Sequence, residues 1–542
     1  MAILSQGTAL ERADFPEQLG VSSQKLQAFL DDLITNHIEI HSLMVLRHGK
    51  VAAETWRKPY EADFPHICFS VSKSIVAIAI GFAIEEGYFT LDSKVLDFFP
   101  EWQPKRSDPK LESMTVFHLL TMTAGKDPLV TDSKMAVDWL KQFFRAIWAF
   151  APGESWKYIS ENQYILMEIL HRATGKTATE YLTPRLYEPL GFGRVPFWET
   201  SRTGIEAGGW GIYLKTEELA KIGQCMMNKG QWQGKQVIPE KWVAKMQENL
   251  VDNTPTNEKY HDQCCGYGLC IWHNPIQNSV RMDGMFGQFV IMLYDYDALV
   301  VITSNEINEY KERGYVWRHI EGFFCEPSDT KPAHSVSLRA REISPPKSRP
   351  RNPEMEQEIN GNVYKIRRPV LNNLVHMPLS VATLPILQMS GMKHGNINNV
   401  SLTFSDDGCI FKWTEDSEEG FQESTVLCGM DGMARQSPVT IAGVPYTMNC
   451  WGAWESDNSI TLHLRPLQSL NDRKLNFSFK GDRVRIMPEM SRGFVYLMQN
   501  MCDIFLEPFM PMPKVSLPVI KLLSPVLGMV AEPELKGRKL TD

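Results

Sequence analysis

Ser70 and Lys73 stand three residues apart at the head of an apolar run that continues to Phe82. Residues i and i+3 share one face of a helix, so the hydroxyl and the amine can touch. The run around them (Ile75, Val76, Ile78, Ala79, Ile80) is apolar on nearly every side, which predicts a buried helix. Burial disfavours the charged form of a lysine, and a neutral amine beside a serine hydroxyl is a base beside a nucleophile. The start of the helix adds unpaired backbone N–H groups suited to an oxyanion. The same spacing recurs at Ser22/Lys25, Ser107/Lys110, Ser328/Lys331, Ser344/Lys347 and Ser390/Lys393. Several of those windows are polar or proline-containing connectors, and only the Ser70 window joins the pair to a long apolar helix. Taken alone, it is equally a plain buried helix.

A serine–lysine pair is served by a third group that handles protons. Tyr158 lies in Gly153-Glu154-Ser155-Trp156-Lys157-Tyr158-Ile159-Ser160, and of the sixteen tyrosines it alone has Ser or Asn two positions later. A phenol beside Lys73 is expected to have its pKa lowered by that charge, and then to accept the Ser70 proton or protonate a leaving group. The other reading of Tyr158 is a core aromatic.

The elements that must position these residues follow from hydrophobic period. Residues 24–36 carry Leu26, Phe29, Leu30 and Leu33 at helical spacing. Residues 43–47 and 51–56 form a β-hairpin across His48-Gly49-Lys50, and the Ser70 helix stops near Gly87. Helices are predicted at 162–173, 177–189 and 216–228, with a further one opening on Pro239 as a first-turn proline. Strands are then predicted at 267–272, 289–293 and 299–303. Strands at both ends with helices between predict an α+β domain whose sheet is closed by early and late segments.

At 542 residues the chain exceeds one ordinary core. We expect a first domain over 1–325, a proline-rich linker over 326–359 and a β-rich barrel or sandwich over 360–542. Apolar content of 43% and charged content of 22% are those of a globular protein. A net charge of −8 gives no general attraction to nucleic acid or to an anionic membrane. The most apolar stretch, 515–530, is interrupted by Pro518 and Pro525, so no membrane span is expected. The stretch 494–527 is expected to pack back on a domain. Ten scattered cysteines and no visible leader point to reduced thiols and a cytoplasmic setting. His261, Cys264, Cys265, Cys270 and His273 lack zinc spacing, and neither metal nor cofactor is expected.

Three motifs occur in order: Ser70-x-x-Lys73, then Thr115-Val116-x-His118-Leu119-Leu120-Thr121-Met122-x-x-Gly125, then Pro152-Gly153-x-x-Trp156-x-Tyr158-x-Ser160. This order resembles the serine β-lactamase-related superfamily, which includes class C β-lactamases, family VIII esterases and 6-aminohexanoate-dimer hydrolases. The likeness continues through Ala207-Gly208-Gly209-Trp210-Gly211 to Gly266-Tyr267-Gly268, about residues 20 to 310. It implies a β-lactamase/transpeptidase-like first domain, with Ser70 as nucleophile, Lys73 as its base, Tyr158 as second proton carrier, and Ser160 where asparagine often stands. The family's Lys/His-x-Gly motif falls at Met282-Asp283-Gly284, where the cation is missing. Gly284-Met285-Phe286-Gly287-Gln288 resembles the dimer-hydrolase branch. There the likeness implies an oxyanion hole from the Met285 and Ser70 N–H groups, with Gly284, Gly287 and Gln288 beside the substrate.

The reading implied is a serine hydrolase acting on a small-molecule ester or amide, without nucleic acid as partner. An acyltransferase using the same residues, or a non-catalytic protein keeping the fold, are the alternatives. The loss of the cation at Met282 argues against β-lactams as the main substrate.

Overall fold

The computed structural model describes residues 3–4, 7–127, 138–254, 261–332, 336–337, 350–369, 394–470, 472–490 and 532–541. The chain divides into two compact units, Met1–Ala340 and Arg341–Asp542. Residues 338–349 of the expected linker over 326–359, and the apolar stretch 494–527, lie outside the described residues.

In the first unit, α1 (Ser23–Thr35) is capped by Ser22, whose side chain accepts from the Lys25 N–H. Two strands follow, β1 (Ile40–Arg47) and β2 (Lys50–Trp56). The short β3 (His66–Ile67) leads into α2 (Val71–Glu85), and α3 (Val116–Leu120) and α4 (Glu161–Thr174) come next. β4 (Phe197–Trp198) and β5 (Ile212–Leu214) precede α5 (Thr216–Met227). The unit closes with β6 (Trp272–His273), β7 (Ser279–Gly284), β8 (Gln288–Leu293), β9 (Ala298–Ser304) and α6 (Glu309–His319).

Early and late strands meet in one antiparallel sheet of order β6-β7-β8-β9-β1-β2. β1 sits between β9 and β2, with Val45 opposite both Val300 and Ala53. Its residues from Ile40 to Leu46 are all buried, as a strand covered on both faces requires. One face packs on α1 and α6 through Leu26, Phe29, Leu33, Ile291, Ile302 and Val316. At roughly 25 cal/mol per Å² of apolar surface, such burial is the main force holding the layers together. A second sheet of order β3-β5-β4 holds the chain just before Ser70.

Three local expectations are revised. Residues 267–272 pair as a strand only at Trp272–His273. Gly268 N–H turns back to the Ile271 carbonyl and Cys270 is left-handed at φ 58°, so the segment bends and does not extend. The helix expected over 177–189 runs as Ala178–Leu182 and then widens to a π turn at Thr183–Tyr187, where Pro184 cannot supply an N–H. Pro239 stands at the cap position before Glu240–Gln247, one place earlier than expected.

The second unit is a ten-stranded, nearly closed, barrel-like antiparallel sheet. In chain order its strands are β10 (Val363–Arg367), β11 (His394–Ser405), β12 (Gly408–Ser417), β13 (Gly420–Cys428), β14 (Arg435–Ile441) and β15 (Val444–Ser456). They continue with β16 (Ser459–Pro466), β17 (Arg473–Lys480), β18 (Arg483–Met490) and β19 (Leu535–Lys539). Strict in–out alternation, as in 483–490, marks a sheet with one solvated face. The edge strands β13 and β14 approach each other, Leu427 N–H donating to Ser437 Oγ at 2.9 Å. Across the interior the Phe411 and Phe477 rings lie 5.5 Å apart, so the two halves of the sheet press together.

Candidate active site

The chain enters α2 through a tight bend. Phe69 holds φ at 43°, a left-handed value uncommon for a residue with a side chain, and its ring packs 5.1 Å from that of Phe286. Ser70 occupies the cap position of α2, yet its side chain makes no capping hydrogen bond. Its hydroxyl is left for Lys73, whose Nζ lies 2.7 Å from Ser70 Oγ. Ser70 is partly exposed while Lys73 is only 1% exposed.

Lys73 Nζ also lies 3.1 Å from Ser160 Oγ and 2.7 Å from the Gly209 carbonyl oxygen. A charged ammonium can donate to all three oxygens. A neutral amine can donate to Ser160 and Gly209 while accepting from Ser70. The arrangement thus serves either proton state without moving an atom, which is what a base that takes and returns a proton needs. The Gly209 carbonyl was not singled out from sequence. The only sequence sign is the Gly208-Gly209 pair, since a Cβ on Gly209 would stand 2.3 Å from the Ser160 carbonyl oxygen.

Tyr158 is half-buried, its phenol hydrogen-bonded to Ser70, with Lys73 Nζ 4.8 Å from the ring centroid. Trp272, at 5.2 Å between ring centroids, and Tyr267, at 6.3 Å, brace the ring. The expected lowering of its pKa is corrected. Loss of water around the phenol pushes it well above 10, and nearby Asp283, Cys270 and Glu309 add to the rise, opposed by the Ser70 hydrogen bond. Lys73 lies over the ring face, and its charge does not overcome that desolvation.

β7 closes the other side. A Cβ on Gly284 would meet the Cys68 carbonyl oxygen at 2.3 Å, so the missing side chain lets β7 reach the segment that carries Ser70. Met285 follows and is partly exposed. Gln288 is fully buried: its Nε2 donates to the carbonyls of Phe286 (3.0 Å) and Ser304 (2.8 Å), and its Oε1 accepts from Ser304 N–H. It shapes the 284–288 turn from behind. Gly287 lies in the left-handed region at φ 84°, and the carboxyl of Glu312 on α6 occupies the space where a Cβ would be, 2.0 Å away. Met282 is fully buried and brings no charge.

Of the cysteines and histidines set aside above, Cys270 turns to Gln163 and to the Leu120 carbonyl, and burial pushes its thiol up to about 12. Among the described residues no three His, Cys, Asp or Glu side chains converge as a metal site. No described helix is long and apolar enough to cross a membrane.

A serine and a lysine on one helix, met by a tyrosine and by the end of a sheet strand, define a β-lactamase/transpeptidase-like fold. The match to the family described as beta-lactamase covers residues 26–321, and the chain belongs to that family. Among curated proteins it is 26% identical over 257 residues to an uncharacterized protein of Alkalihalophilus pseudofirmus, covering 44% of this chain and 70% of that one. It is 24% identical over 220 residues to the 6-aminohexanoate-dimer hydrolase of Paenarthrobacter ureafaciens (38% of this chain, 56% of the relative). To the esterase EstB of Burkholderia gladioli it is 26% identical over 207 residues (32% and 53%). The chain therefore spans little more than half the length of these two named hydrolases. Among solved structures, the octameric penicillin-binding protein homologue of Pyrococcus abyssi aligns with 85% of this chain and 97% of its own at 15% identity, TM-score 0.45. A family VIII carboxylesterase aligns with 56% and 94% at 16% identity, TM-score 0.44. Likenesses at that level carry no argument about function.

Proposed function

We propose that this chain is a serine hydrolase that cleaves a small ester or amide through an acyl-enzyme on Ser70. The observation that carries this is the 2.7 Å contact between Lys73 Nζ and the partly exposed Ser70 hydroxyl, which also bonds the Tyr158 phenol. In this reading Ser70 Oγ attacks the carbonyl carbon while its proton passes to Lys73. The Met285 and Ser70 N–H groups hold the resulting oxyanion, a contribution of a few kcal/mol in enzymes built this way. With its pKa raised, Tyr158 stays protonated and donates to the leaving oxygen or nitrogen, regaining a proton from Lys73. Water then attacks the acyl-enzyme carbonyl, releasing the acid and restoring Ser70. Ser160 and Gly209 hold Lys73 in place; Gly284 and Gly287 let the oxyanion turn sit where it does.

Met282 suggests an acyl group that needs no cation at that position. The domain limits 1–325, 326–359 and 360–542 form part of the proposal, as does a reducing compartment, supported by nine free cysteines among the described residues. A fluorophosphonate probe tests the central claim. Labelling of the wild type that disappears in Ser70→Ala is expected, and absence of labelling on folded wild type would overturn it. Diversion of product to a new ester by added alcohol would favour the transferase.

A further inference from the structure

Antiparallel partners directly opposite one another project to the same side of a sheet, and like charges placed so are destabilising. The outer face of four neighbouring strands in the second unit is built of such pairs. One row runs Lys365–Arg538–Arg483–Lys480 across β10, β19, β18 and β17. The next runs Arg367–Lys536–Arg485 across β10, β19 and β18. All seven side chains are exposed, while the residues between them (Ile366, Val484, Ile486, Gly537) point inward. Two carboxylates answer them in part: Asp482 pairs with Arg538 and Arg483, Glu534 with Lys536 and Arg485. A strongly basic face on a chain of net charge −8 is held against its own repulsion.

Exposed apolar side chains border the two rows. Val363 (40% exposed) and Leu540 (48%) lie beyond the first row, joined by the Leu540 N–H to Val363 carbonyl bond, and Met487 (43%) lies beyond the second. No Phe, Tyr or Trp projects outward from the described residues of β10, β17, β18 or β19, so bases would find nothing to stack on.

We propose that this face docks on the surface of an anionic phospholipid bilayer, the basic rows meeting headgroups and the apolar rim reaching toward the acyl boundary. The attachment is peripheral and does not depend on the hydrolase reading, since the face belongs to the second unit. The test is co-sedimentation of the full chain with vesicles of phosphatidylcholine alone or with about one-third phosphatidylserine. Binding to the second and not the first is expected, falling steeply as salt is raised. Lys365→Glu/Arg367→Glu is expected to weaken binding at least tenfold while leaving Tm equal or higher, because each new carboxylate stands opposite a cation, Arg538 or Lys536, and the Asp482 and Glu534 pairs stay intact. Lys365→Gln/Arg483→Gln, which only removes charge, is expected to weaken it several-fold. Wild-type affinity in both variants, no preference for the anionic vesicles, or tighter binding to duplex DNA or single-stranded RNA that displaces the vesicles would overturn the proposal. A lower Tm in Lys365→Glu/Arg367→Glu would overturn the claim that the like-charged rows are held at a cost.

Discussion

Tyr158 shows how one residue's chemistry depends on what surrounds it. Beside Lys73 in sequence logic its phenol would ionise more easily; inside the folded site it ionises less easily, because water is excluded and carboxylates stand near. It is thereby suited to give a proton to a leaving group. Tyr158→Phe is expected to lower kcat on an ester about 10²-fold or more with Tm unchanged within a few degrees, checked by steady-state kinetics and thermal melts. Glu199 makes a second case. It is 1% exposed, its Oε1 accepts from the Tyr213 hydroxyl at 2.9 Å, and burial raises its pKa from 4.5 to about 7. Between those values the folded chain holds this proton and the unfolded chain releases it, so the group's contribution to stability falls as pH rises and levels off above 7. Glu199→Gln is expected to flatten the stability–pH curve over that window, by at most about 1.4 kcal/mol per pH unit, in denaturant titrations.

At the scale of elements, the 284–288 turn rests on α6. Ser304 Oγ lies 2.8 Å from the Glu39 carbonyl and 3.2 Å from Glu312 Oε2. The single Ser304 hydroxyl proton suits the closer acceptor, and the longer contact is then satisfied by a proton on Glu312. Burial and the neighbouring Glu306 and Glu309 push Glu312 in that direction. Glu312→Gln, which keeps the shape and the neutrality, should retain most of kcat. Gly287→Ala should lose at least tenfold in kcat and about 2 kcal/mol or more of stability, from the left-handed φ and the collision with Glu312 together. Kinetics and melts on the two variants check this; equal loss in both would point to packing alone.

The whole molecule holds two separately compact units, one an α+β layered fold and one a barrel-like sheet. Each has its own apolar interior, so calorimetry of the full chain is expected to resolve two transitions. Phe477→Ala removes a 1%-exposed ring that meets Phe411 across the second interior. It should destabilise by about 3–5 kcal/mol and shift one transition while leaving the other in place.

The chain's own order of residues determined the α+β character of the first unit, the hairpin at 43–56, the buried helix after Ser70, and the strand-rich second unit. These follow from local period and from residue types that a single element can satisfy. The Ser70–Lys73 contact was legible for the same reason, being a pair within one helical turn. Only tertiary structure decided what crosses between distant segments. The Gly209 carbonyl reaches Lys73 from 136 residues away, and Gln288 turns its amide into the hairpin. The 267–272 segment bends where alternation predicted a strand. The basic face is the largest such case: its cations are scattered from Lys365 to Arg538 in sequence, and antiparallel register alone brings them into rows.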